Sequence, residues 1–143
     1  GTRLVTEHGR RVFADDAVVH HRLVPGSFHD QARDQRHVGG MPGLAKRSPV
    51  VVEALRGGLF LSRATLRFDL ALAGVVIAVV TRRPWALALV APWVRLRWPH
   101  AVGRTRGRGG AAALRVLAEY TILDATTFVS LVRGSVRHRR PVL

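Results

Sequence analysis

The sequence predicts an α+β chain: short strands and a helix in its first third, then a mostly α-helical, membrane-associated region. Three observations point there. Residues 1–49 are polar and mixed in charge, with two short runs of strand character. Residues 70–80 carry no polar side chain at all. Between Leu114 and Val132, apolar residues recur at helical spacing.

Taken in order, residues 2–8 read as the end of a helix closed by Gly9 at its C-cap. Residues 11–14 and 17–20 read as two strand pieces around Asp15-Asp16, and Pro25-Gly26 marks a turn. Ser27 is a good N-cap for a helix over residues 28–38, which Gly39-Gly40 and Pro42-Gly43 are expected to end. A further helix is expected over 49–56, broken by Gly57-Gly58. Residues 62–80 form a long apolar segment, interrupted by Thr81-Arg82-Arg83-Pro84, and residues 85–94 form a second apolar run containing Pro92. Residues 104–110, rich in Arg and Gly, read as a basic linker. After it, Leu114, Leu117, Thr121, Ala125, Phe128 and Val132 fall on one stripe of a helix that Gly134 is expected to terminate. The chain therefore divides into residues 1–49, an apolar helical hairpin over 50–99, a linker over 100–110, and an amphipathic helix with a basic tail over 111–143.

Lys and Arg together number 23 against 9 acidic residues, a formal net charge of +14. A field of that sign draws polyanions: nucleic acid, anionic headgroups or phosphorylated substrates. All but one of the cations (Lys46) are Arg, whose planar fork matches phosphate. The chain has no Asn and only two Ile, a skew that GC-rich coding produces alone, so the sign of the charge carries more weight than the preference for Arg. The absence of cysteine excludes disulfides, thiolate zinc sites and cysteine nucleophiles. Residues 103–110 lack the spacing and preceding strand of a phosphate loop, and no serine sits in a nucleophile elbow. A nucleic-acid-binding module fits the charge, but the basic tract is almost free of aromatics and the apolar segments are too extensive for a free soluble module.

The pattern Arg3-Leu-x-x-x-x-Gly9-Arg-x-Val-Phe13-Ala-x-Asp-Ala-Val-Val-His20-His21 resembles the end of the GT-A catalytic domain in family 2 glycosyltransferases. Residues 27–39 and Leu44-Ala-Lys-Arg-Ser-Pro49 resemble the helix and basic loop that follow that core, and residues 131–140 resemble the tail of such enzymes. The match is continuous over 1–49 and looser beyond; Asp15 stands where the family commonly has Pro, and His8 where a small residue is usual. The resemblance implies an inverting enzyme that moves a sugar from a nucleotide-diphosphate donor to a lipid-linked or envelope glycan. A carboxylate would act as base, and a divalent ion (Mn²⁺ or Mg²⁺) would neutralise the leaving diphosphate. It places His20 in the metal site and His21 and Arg36 near the donor diphosphate. It also places the catalytic base and the Asp-x-Asp motif upstream of Gly1, so these residues alone are expected to be a C-terminal portion inactive by itself.

Residues 70–80 span about 16 Å as helix against a hydrocarbon core of about 30 Å, too short to cross. Trp85, Trp93 and Trp98, with Arg95 and Arg97, flank the second run as interface residues do. Two short apolar helices joined by Arg82-Arg83-Pro84 thus predict a hairpin resting in one leaflet, with its cationic tip near the headgroups, on the cytoplasmic face of the plasma membrane. Packing of the same helices on a catalytic domain is the competing expectation.

Overall fold

The computed structural model describes residues 27–106 and 108–143. Six α-helices run through them: α1 (Phe28–His37), α2 (Met41–Arg47), α3 (Pro49–Ala54), α4 (Arg63–Thr81), α5 (Ala91–Thr105) and α6 (Gly110–His138). Two 3₁₀ segments, Val38–Gly40 and Pro84–Val90, join α1 to α2 and α4 to α5. Among the described residues no strand forms; the only bridge is an isolated one between Arg56 and Phe60. This overturns the α+β class and the expected end of a GT-A domain. From Phe28 onward the chain is a helical assembly, and the helix expected to follow the GT-A core packs on α6. The strand pieces expected at 11–14 and 17–20 lie outside the described residues.

Capping explains where the two best-defined helices start. The Ser27 hydroxyl accepts from the Asp30 amide at 3.2 Å while the Asp30 carboxylate accepts from the Ser27 amide at 2.9 Å, a reciprocal capping box. The Ser27 hydroxyl also donates to that carboxylate at 2.8 Å, and this bond together with the one from the Ser27 amide holds the Asp30 carboxyl below its ordinary value. Ser62 and Thr65 repeat the device at α4, with bonds of 3.1 Å in both directions. Helices α4, α5 and α6 each end on an arginine in the left-handed conformation: Arg82, Arg106 and Arg139. A cation at that end complements the partial negative charge of the helix C-terminus, which offsets a backbone conformation costing roughly 1–2 kcal/mol without glycine.

α6, about 43 Å long at 1.5 Å per residue, is the spine. Two small cores sit along it. Ala45, Leu55, Leu131 and Val142 form one, with Val38, Met41, Val51, Val52 and Leu61 packed against them. Phe68, Ala71 and Trp93 form the other, flanked by Leu117, Tyr120, Ala125 and Phe128 from α6. Residues 141–143 are pinned across the first core: the Leu143 amide donates to the Leu59 carbonyl at 2.8 Å, the Leu61 amide returns a bond of 2.6 Å, and Val142 is fully buried.

Gly39, before which α1 ends as expected, and Gly134, which was expected to stop a helix, let two helical segments cross. A Cβ on Gly134 would stand 2.2 Å from the Gly39 carbonyl oxygen, and one on Gly39 would stand 2.9 Å from that of Ser130. The backbones touch there, and no larger residue fits without moving them. α6 accordingly runs through Gly134 to His138 rather than ending at it, and Val38–Gly40 passes directly into α2. The expected linker over 104–110 is shorter than composition suggests, because α5 reaches Thr105 and α6 opens at Gly110.

Candidate functional site

The hairpin expected in the middle of the chain forms. α4 runs out to Thr81, Arg82 and Arg83 turn the chain, and Pro84–Val90 folds back along α4. Gly74 makes the return possible: a Cβ there would meet the Ala86 carbonyl oxygen at 2.6 Å and the Leu89 Cβ at 2.8 Å. α4 is long and apolar enough to cross a membrane, and only 17% of its most apolar window is buried, unlike the core helix of a soluble protein. Val79 and Val80 are 72% and 75% exposed, and Val75, Val76, Ile77 and Leu87 are also exposed. Trp85, 64% exposed, stands beside Arg82 and Arg83 at the turn. An exposed apolar surface of this kind, edged by cations, marks a place where a protein, a membrane or a ligand can bind.

At the base of the hairpin a polar cluster ties three helices together. Asp124 of α6 accepts from the Trp93 indole N–H at 2.8 Å and from Arg97 Nε at 3.0 Å, and its second oxygen accepts from another Arg97 nitrogen. The Arg97 guanidinium also lies 4.8 Å from the centre of the Tyr120 ring, and Trp93 meets Phe68 edge to face at 6.1 Å. Asp69 of α4 completes the cluster. Its Oδ2 is buried with no hydrogen-bond partner among the described residues. Burial, and then the nearby Asp124 charge, push its carboxyl up to about 6. Within this arrangement Asp124 is engaged by Trp93 and Arg97 and holds α5 to α6.

The interface residues expected from sequence therefore separate. Trp85, Trp98 and Arg95 are exposed, as an interface requires. Trp93, 6% exposed, and Arg97 turn inward to Asp124, because that buried carboxylate requires donors. His20 and His21 lie outside the described residues. Among the described residues no three metal-ligating side chains gather. Arg36 is exposed on α1 and opens onto a groove of about 1110 Å³ shared with Arg133, Arg137 and His138 of α6. Sequence reasoning missed Asp69, Asp124, Arg133 and Arg137. The signal for Asp69 and Asp124 was available: each is a lone acid within an apolar helical stretch.

No protein family, no curated protein and no solved structure matches this chain.

Proposed function

We propose that the helical body is a membrane-docking domain whose exposed hairpin enters the lipid. The observation that carries this is the exposed apolar surface over residues 75–80, continued by Trp85 and Leu87. Moving these half-exposed side chains out of water is worth on the order of 5 kcal/mol together, enough for reversible docking. Arg82, Arg83 and Arg95, exposed around it, would meet anionic headgroups at about 1 kcal/mol each. Anionic lipid and basic flanks together favour the cytoplasmic face of the plasma membrane.

The test is flotation of the chain with vesicles. It should float with phosphatidylglycerol-containing vesicles, more weakly with phosphatidylcholine alone, and should lose most binding when Val79 and Val80 are both replaced by Asp. Equal flotation of that variant would remove the hairpin from the account.

The pattern from Arg3 to His21 favours a role for this domain within an enzyme. In that reading it holds an inverting glycosyltransferase at the membrane, where a nucleotide-diphosphate sugar meets a lipid-linked or envelope glycan. His20 would contribute to a divalent metal site, and His21 would face the donor diphosphate. The reading requires an Asp-x-Asp pair and an acidic base segment ahead of Arg3 in the same polypeptide. A reading frame containing neither would leave a basic membrane-associated protein with no catalytic role.

A further inference from the structure

The groove between α1 and α6 has a polarity gradient that the hairpin does not use. Ile122 and Val129 line one part of it, and Arg133, Arg137 and His138 continue along the same face of α6, with Arg36 entering from α1. Among the described residues no acidic one lines it. The ion pairs among the described residues engage Arg97, Arg104 and Arg115, so among those residues the three guanidiniums of the groove have no carboxylate partner. Arg133 and Arg137 are four apart on one helix, a spacing at which like charges repel by a few tenths of a kcal/mol. Complementing a helix C-terminus accounts for one cation per helix end, not for three in one groove. The floor is rigid: it is the backbone crossing of Gly39 and Gly134, and the His138 ring lies over Gly43, where a Cβ would meet it at 2.9–3.1 Å.

We propose that this groove binds a phosphate-bearing amphiphile, its phosphate held by Arg36, Arg133 and Arg137 and its first methylenes lying on Ile122 and Val129. The Arg fork matches phosphate oxygens in pairs, and each such charge-assisted bond is about twice as strong as a neutral one. The apolar end distinguishes the occupant from a free anion. No Phe, Tyr or Trp is among its described lining residues, which distinguishes it from a nucleic-acid track with its stacking aromatics. The proposal does not rest on the docking of the hairpin, because it concerns a single ligand molecule that can be offered without a bilayer.

The experiment is a titration of the full chain in non-ionic detergent, followed by calorimetry, with three probes. These are dihexanoyl phosphatidic acid below its micellar concentration, dihexanoyl phosphatidylcholine and inorganic pyrophosphate. Phosphatidic acid should bind saturably at one site, and Arg133→Gln and Arg137→Gln should each weaken it about tenfold or more. Val129→Asp should weaken it as well, whereas Arg115→Gln, on an exposed part of the same helix outside the groove, should leave it unchanged. Phosphatidylcholine or pyrophosphate binding as tightly as phosphatidic acid would overturn the proposal, as would equal weakening by Arg115→Gln. If the α6 variants lost their helical circular dichroism, Arg36→Gln on a separate helix provides the same readout, and unchanged affinity there would refute the site.

Discussion

Replacing Asp69 by Asn should stabilise the protein at neutral pH and remove part of its pH dependence. In the folded chain the Asp69 carboxyl titrates at about 6, against 3.8 for an unhindered group. Between these values the folded state holds more protons than the unfolded state, so stability falls as pH rises from about 4 to about 6 and then stays low. The full shift corresponds to at most about 3 kcal/mol. Because the carboxyl is only half-buried, solvent screening reduces this to about 1–1.5 kcal/mol. Asn keeps the shape, carries no charge and removes the repulsion from Asp124. Denaturant unfolding in non-ionic detergent, followed by circular dichroism, should show the variant more stable by that amount at pH 7.5 and equal within error at pH 4. Taking the difference between the two proteins cancels every other titration, including that of Asp30. A difference that is the same at both pH values, or a variant less stable at pH 7.5, would refute the reasoning.

Other perturbations test the packing. Gly134→Ala should destabilise by about 1–3 kcal/mol in the same unfolding assay, because its methyl would collide with the Gly39 carbonyl. Gly103→Ala, also within a helix but with open space around it, should instead stabilise by about 0.5–1 kcal/mol; a shared sign would contradict the crossing. Arg97→Met should cost about 3–5 kcal/mol by stranding the Asp124 carboxylate, and Asp124→Leu in the same chain should recover part of that loss. No recovery would show that the ion pair is not the reason for the cost.

What could be read from sequence and what could not divides along a physical line. Local signals held: Ser27 caps the helix expected from Phe28, Pro49 opens the next, and Arg82-Arg83-Pro84 turns the apolar hairpin. The glycines read only in part: α1 does end just before Gly39-Gly40, whereas α6 runs through Gly134 to His138. Gly39 and Gly134 look like breakers in a one-dimensional pattern, yet each is small so that a partner backbone can approach, a reason visible only when both segments are in place. The same limit applies to Trp93 and Arg97. An indole and a guanidinium beside an apolar run fit a membrane interface until a carboxylate 31 and 27 residues away claims them. The groove residues were hidden for a related reason, since Arg36 and Arg137 meet only because α1 crosses α6. The α+β class failed because it was carried by residues 1–26, while the helical signal of residues 28–49 was treated as an appendage to a sheet.

The central claim, that the hairpin enters the lipid, can be measured at one atom. The chain has no cysteine, so Val80→Cys provides a unique thiol on a side chain that is 75% exposed, and Arg115→Cys provides a control on α6. Each is labelled with an environment-sensitive fluorophore and mixed with phosphatidylglycerol-containing vesicles. The account predicts that the label at position 80 shifts to the blue and becomes shielded from aqueous iodide, while the label at 115 does neither. Bound protein whose position 80 remains as open to iodide as position 115 would contradict it.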